Sequence, residues 1–303
     1  MNDRSGRRSA ALPVGEPEPG RWHLEDFRVG QRWTTPEREI TAADIAAFAT
    51  LSGDTHPLHT DPDYAATTRF GEPIAHGPLS IAVTMGLLHE LRLVDETVVA
   101  LLGTQWTYLA PLRAGDVVLA EVTVTEARRS RQGTTGAVGR DIELRTSTGT
   151  VVGRGALPVM VRAREADGSA DDPARAFGTL AWGEALADLL AGDEAFAAAT
   201  ATWDGSIGLV CDHGHAQQQV QLRVYRGRVL EAVRRTPGGP TFSLHASART
   251  WTDLALAPAA DLIRRANRGE VTTSGDAYEY IRMTKAVHLL VDAVRELAGK
   301  EEQ

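Results

Sequence analysis

Apolar and polar positions divide the chain into two patterned stretches. Residues 22–163 and 179–303 carry regular apolar spacing, and residues 164–178 between them are polar, with Gly, Ser and Pro, and read as a linker. In the first stretch, residues 25–31 read as a short strand and turn, and residues 33–39 as a second strand. Thr41 is a good N-cap and Asp44 follows at N3, where a carboxylate favours the helix dipole. Ile45 and Phe48 then share one face, and Gly53 can take the positive φ of a C-cap. Residues 54–58 read as a loop. Asp61 and Pro62 open a second short helix that ends near Phe70-Gly71. A third helix starts at Gly77-Pro78. Its residues Leu79, Ile81, Ala82, Val83, Met85, Leu87, Leu88 and Leu91 cover almost the whole circumference, so the pattern predicts a helix buried all round.

Strands follow at 98–102, 103–109, 117–125, 142–146 and 151–161, with a turn at 111–116 and a polar hairpin over 128–139. One apolar helix followed by antiparallel strands predicts a curved sheet wrapped around that helix. In the second stretch the pattern predicts a helix at 182–190 and strands at 198–203, 207–211, 220–224, 229–233 and 241–245. Helices are expected at 250–256, 258–267 and 285–297. The fold class is α+β in both halves, and no internal repeat relates them.

Composition narrows the function. At 303 residues, two domains are expected. A hydrophobic share of 43% with 24% charged residues is that of an ordinary globular chain. The formal charge of −8 argues against nucleic acid as a partner, since no large basic face is present to grip phosphates. One cysteine, Cys211, excludes an intrachain disulfide and a thiolate metal cluster. No apolar run is long enough to span a membrane. Residues 1–21 are charged, then Pro/Gly-rich, without an apolar segment, and read as a disordered leader rather than a signal peptide. A cytoplasmic location is expected.

The candidate chemistry gathers in residues 51–77. Asp54 and His59 lie five positions apart, with Pro57 and Pro62 fixing the backbone around them. A carboxylate and an imidazole on one rigid loop can share a water and move its proton near neutral pH. His76-Gly77 stands where the apolar helix begins, and free N–H groups there stabilise a developing negative oxygen. Other signals are weaker. Gly133, Gly136 and Gly139 lack the spacing and the following helix of a nucleotide loop. Cys211-Asp212-His213-Gly214-His215 holds metal-ligand types at a hairpin turn with no second ligand pair beside it, so no metal is expected. Arg128, Arg129 and Arg131 read as a solvated turn in preference to a phosphate grip.

The run SGDTHPLHTDPDYAATTRFG followed by IAHGPL resembles the MaoC-like (R)-specific enoyl-CoA hydratases of the hot-dog fold. The resemblance extends over residues 24–161. It implies syn addition of water to a trans-2-enoyl thioester, or the reverse dehydration of an (R)-3-hydroxyacyl thioester, carried by CoA or by acyl carrier protein. No cofactor is implied beyond that substrate. By the same resemblance, Asp54 and His59 hold and activate the water, and the Gly77 N–H polarises the thioester carbonyl. His56 stands where the family often has Asn, which makes His56, with Pro57, a neighbour of the substrate. His76 is counted with them beside the substrate, and is expected to fix the loop that presents Gly77. Residues 182–297 resemble the sterol-carrier-protein type 2 fold, through Phe242 to Leu244, Trp251, Ala266 to Gly269 and Gly275-Asp276. That implies a lipid or acyl-chain tunnel, or a domain retained as scaffold. A homodimer is implied by the hot-dog resemblance. The alternative is an acyl- or lipid-binding protein without catalysis.

Overall fold

The computed structural model describes residues 18–164, 174–259 and 261–299. Most of the expected leader and most of the expected linker lie outside the described residues. The first unit runs β1 (Arg32–Thr34), β2 (Arg38–Glu39), α1 (Ala42–Ser52), α2 (Pro57–Thr60), α3 (Pro62–Ala66) and α4 (Gly77–Glu90). It continues with β3 (Val98–Leu101), β4 (Gln105–Tyr108), β5 (Val117–Arg129), β6 (Thr135–Thr146), β7 (Val151–Ala156) and β8 (Val159–Arg162). These strands form one eight-stranded sheet with the path β1-β5-β6-β7-β4; β2 pairs with β5, and β8 bridges β6 and β3. Every pairing is antiparallel.

The sheet encloses α4. Leu79, Val83, Leu87 and Leu88 pack on Val118, Ala120, Val122, Ile142, Leu144 and Val152. The helix is nevertheless buried on one side only: Ala82, Met85 and Gly86 are exposed. The expectation of a helix buried all round is corrected, because apolar content does not say what covers each face. Two strand boundaries also move. β5 and β6 extend through the expected 128–139 hairpin and leave only 130–134 as turn. The expected 151–161 strand breaks into β7 and β8 at Leu157-Pro158, where proline offers no N–H to a ladder. Leu24–Asp26 forms a 3-10 turn rather than a strand.

The second unit contains α5 (Leu180–Ala191), α6 (Glu194–Ala199), β9 (Asp204–Asp212), β10 (Gln217–Tyr225), β11 (Arg228–Val233) and β12 (Phe242–Ser247). Then come α7 (Ala248–Leu256), α8 (Leu262–Asn267), β13 (Val271–Gly275), α9 (Ala277–Arg282) and α10 (Thr284–Gly299). The sheet order is β11-β10-β9-β12-β13, with β9 and β12 parallel. Trp182, Leu186, Phe196, Trp251, Leu290 and Val294 fill the space between helices and sheet. Residues 198–203 are not a strand. Asp193 caps α6 by accepting from the Ala195 and Phe196 N–H groups at 2.7 and 3.1 Å, and the alanines after it favour helix.

The seam between the units is largely polar. Arg249 on α7 donates to Thr123 Oγ1 on β5 at 2.9 Å and to Asp141 Oδ1 on β6 at 3.2 Å. Arg32 on β1 pairs with Asp253 on α7 at 2.8 Å. Burial pushes Asp141 up to about 6, the Arg249 charge pulling the other way and the Asp253 carboxylate adding to the rise. Among the described residues no helix is long and apolar enough to cross a membrane.

Candidate active site

The site is assembled by two helix boundaries. α1 opens with a reciprocal capping box: Thr41 Oγ1 accepts from the Asp44 N–H at 3.1 Å, and Asp44 Oδ2 accepts from the Thr41 N–H at 2.8 Å. It closes at Gly53, whose φ of 75° lies in the left-handed region where glycine is unstrained. This turn delivers Asp54. Asp54 Oδ1 accepts from the His56 N–H at 3.3 Å, a local turn that leads directly into α2. The residues expected as a loop up to Leu58 therefore include the start of a helix. His56 is its N-cap, with Nδ1 accepting from the Leu58 N–H at 3.1 Å, and Pro57 occupies the first turn.

His59 sits on α2, half-buried. Its Nδ1 faces the Ile74 carbonyl at 2.7 Å. A carbonyl only accepts, so Nδ1 carries the proton and Nε2 presents a lone pair. His76 is buried and stacks on His59 with ring centres 3.8 Å apart. Its Nε2 donates to the Asp54 carbonyl at 2.8 Å, which ties the Asp54 turn to the start of α4. Its Nδ1 is buried with no partner among the described residues. Side-chain ligand atoms of Asp54, His59 and His76 all lie within 4.8 Å of one another.

Gly77 is the first residue of α4, where backbone N–H groups lack an intrahelical acceptor. A side chain there would meet the Tyr108 ring, since a Cβ would lie 2.9 Å from Tyr108 Cζ. The groove beside it is a cavity of about 270 Å³ lined by His59, His76, Gly77, Tyr108, Leu112 and Val152, with Arg69 and Phe70 also on its wall. The structure thus brings together Asp54, His59, His76 and Gly77. Asp54, His56 and Pro57 do not line that cavity: His56 and Pro57 act on the backbone of α2, and Asp54 joins the site through its position within 4.8 Å of the His59 and His76 ring nitrogens. Arg128 pairs with Glu126 at 2.8 Å and Arg129 with Glu25 at 2.6 Å, and neither reaches it. Tyr108, Arg69, Phe70 and Val152 were not singled out from the sequence. Arg69 carried one usable signal, a cation beside an aromatic ring; its guanidinium lies 4.7 Å above the Phe70 ring.

An antiparallel sheet wrapped around one helix is the hot-dog arrangement, and here an acid–histidine pair stands at that helix's N-terminus. Residues 26–144 match the MaoC like domain. The chain is 40% identical over 107 residues to the (R)-specific enoyl-CoA hydratase of Aeromonas caviae, covering 35% of this chain and 78% of that protein. It is 34% identical over 126 residues to the 3-hydroxybutyryl-CoA dehydratase of Methylorubrum extorquens, covering 40% and 78%. The chain belongs to the MaoC-like hydratase/dehydratase family, and its chemistry is that of a hydro-lyase. A solved structure of sterol carrier protein 2 is also similar, at 23% identity over 39% of this chain and 96% of that one, with a TM-score of 0.35.

Proposed function

We propose that this protein adds water reversibly and syn to trans-2-enoyl thioesters of CoA or acyl carrier protein, giving (R)-3-hydroxyacyl thioesters. The observation that carries the reading is the His59 tautomer. With Nδ1–H committed to the Ile74 carbonyl, the Nε2 lone pair is left to take a proton from water held beside the Asp54 carboxylate. As the water oxygen bonds to C3, its proton moves to Nε2, and the electron pair of the C2–C3 double bond shifts toward the thioester carbonyl. The Gly77 N–H and the dipole of α4 stabilise that enolate oxygen. The imidazolium then returns a proton to C2 on the same face. His76 holds Asp54 in place through its backbone carbonyl. The apolar wall formed by Phe70, Ile74, Leu112 and Val152 suits an acyl chain.

The test is hydration of crotonyl-CoA and longer enoyl thioesters, followed by loss of enoyl absorbance and chiral analysis of the product. Asp54→Asn and His59→Ala should each lower kcat on the order of 10²–10⁴-fold. No hydration of any CoA or carrier-protein thioester would overturn the reading, leaving acyl binding without catalysis; full activity in both variants would overturn the site assignment.

A homodimer fits the same reading: Val98, Val99 and Leu101 on β3, with Tyr108 and Leu109 beside the site, are exposed apolar residues. Light scattering on a sizing column tests it, and a monomer at working concentration would refute it. The second unit suits a scaffold better than a lipid tunnel, because Trp182, Trp251, Phe196 and Phe242 are fully buried in its core. Stoichiometric uptake of a fluorescent fatty acid would contradict that. A cytoplasmic location is part of the proposal and is tested by cell fractionation.

A further inference from the structure

The seam also holds an open groove of about 1150 Å³. The first unit contributes Arg128, near the end of β5, and Arg131, in the turn between β5 and β6. The second unit contributes Arg234 and Arg235, just past β11, and the start of α5. Among the described residues, one carboxylate, that of Glu184, lies on the wall. Arg128 is already paired with the buried Glu126 at 2.8 Å. Arg131, Arg234 and Arg235 are exposed and make no ion pair among the described residues. The groove is remote from the catalytic cavity. Val152 of that cavity adjoins Val151, which pairs with Arg145 and through it with Leu119, at the opposite end of β5 from Arg128. At ~3.3 Å per residue, the two ends stand roughly 30 Å apart along the strand.

The chain has 40 acidic against 32 basic residues, so a cation has ample carboxylates to pair with. Three guanidiniums left unpaired in one concavity repel one another, and the protein walls focus their field. That arrangement is unfavourable when empty and favourable around an anion of several charges. A guanidinium is a planar fork that binds two phosphate oxygens at once, which selects phosphate over a simple halide. Thr179 caps α5, its Oγ1 accepting from the Trp182 N–H at 3.2 Å, and the dipole of that helix adds positive potential to the same wall. The guanidiniums supply most of the charge. The volume slightly exceeds the range of about 300–1,000 Å³ usual for small-ligand sites, so one phosphate would leave most of it unfilled. Leu180 and Ala216 line an apolar strip, and Gln217 and Gln219 offer exposed amides, a mixture that suits an organic portion as well.

We propose that this groove binds a small anion bearing two or more phosphate groups, held by Arg131, Arg234 and Arg235 and bridging the two units. It is a second site, separate from the thioester chemistry at α4. The proposal revises the reading of Arg128 and Arg131 as a solvated turn. The cations that complete the groove follow β11 in the other unit, where no local pattern reveals them.

The experiment is titration calorimetry on the full chain at low salt, with ADP, inorganic pyrophosphate, inorganic phosphate and adenosine as probes. ADP or pyrophosphate should bind at about one site per chain and raise the thermal midpoint. Inorganic phosphate should bind at least about tenfold more weakly, and adenosine should not bind. ADP binding more tightly than pyrophosphate supports an organic phosphate as the ligand, and the reverse order supports an inorganic one. Arg131→Ala, and separately Arg234→Ala with Arg235→Ala, should each weaken binding about tenfold or more. Arg28→Ala, at an exposed arginine outside the groove, should leave it unchanged, as should His59→Ala. The proposal is overturned if neither ADP nor pyrophosphate binds the unsubstituted chain, or if adenosine binds as tightly as ADP. Full affinity in the folded arginine variants overturns it too. Equal weakening by Arg28→Ala would reduce the effect to net charge, and loss in His59→Ala would put the probe in the catalytic cavity; either result also overturns it.

Discussion

Replacing Asp141 by Asn tests how the seam carries its charge. In the unfolded chain the Asp141 carboxyl titrates near 3.8; in the folded protein burial pushes it up to about 6 despite the nearby Arg249. At ~1.4 kcal/mol for each tenfold change in proton affinity, the ionised carboxyl costs about 3 kcal/mol of stability. The side chain keeps 26% exposure, so water screens part of this, and about 1–3 kcal/mol is expected. The sign follows from the direction of the shift. Below 3.8 the group is protonated in both states and costs nothing. As pH rises from 3.8 to 6, the unfolded chain ionises first and the folded state loses relative stability. Above 6 the penalty is complete. Asp141→Asn cannot ionise, so urea unfolding should show wild type and variant close together near pH 4. At about pH 7.5 the variant should be ahead by about 1–3 kcal/mol. A variant weaker than wild type at about pH 7.5, or a difference that does not change with pH, would refute the reasoning and mark the Asp141–Arg249 pair as net stabilising.

Other substitutions probe the site and its supports. Gly77→Ala drives a methyl into the Tyr108 ring, so kcat/KM should fall on the order of 10–10²-fold while the thermal transition stays near wild type. Gly155→Ala would place its Cβ 1.8 Å from the Gln105 carbonyl oxygen across the β4–β7 pairing, and unfolding experiments should show a loss of about 2–4 kcal/mol. Thr41→Ala breaks the capping box of α1 and should cost about 1 kcal/mol in the same assay, with little change in kcat.

Much of the site was legible because its supports are local. The Thr41 and Asp44 caps, the Gly53 stop and the Pro78 start of α4 are short-range signals, and they place Asp54 and Gly77 on helix ends. The roles proposed for Asp54, His59 and Gly77 come from the resemblance. What was not legible depends on distance along the chain. The bond from His76 to the Asp54 carbonyl spans 22 positions and that from His59 to Ile74 spans 15, so neither tautomer could be read from spacing. The short helix that carries His59 was hidden by His56-Pro57, which resembles an ordinary turn. Strand β13 and helix α9 escaped because Val271–Gly275 has one buried residue and Ala277–Arg282 has none, so neither leaves a clear apolar rhythm. Residues 198–203 were assigned to a strand although Asp193 supplied a cap and three alanines followed Phe196.

The polar character of the seam has a consequence for how such a protein can be built. Parting the units would uncover Thr123, Glu126, Asp141, Arg249 and Asp253, groups that water can satisfy, along with Val29, which packs into the core of the second unit, and Leu256, which lies against Gly30. Two folded modules joined in this way can be combined or separated over generations without creating a sticky intermediate. The junction then needs only a few matched charges to appear, rather than the simultaneous invention of two complementary oily faces.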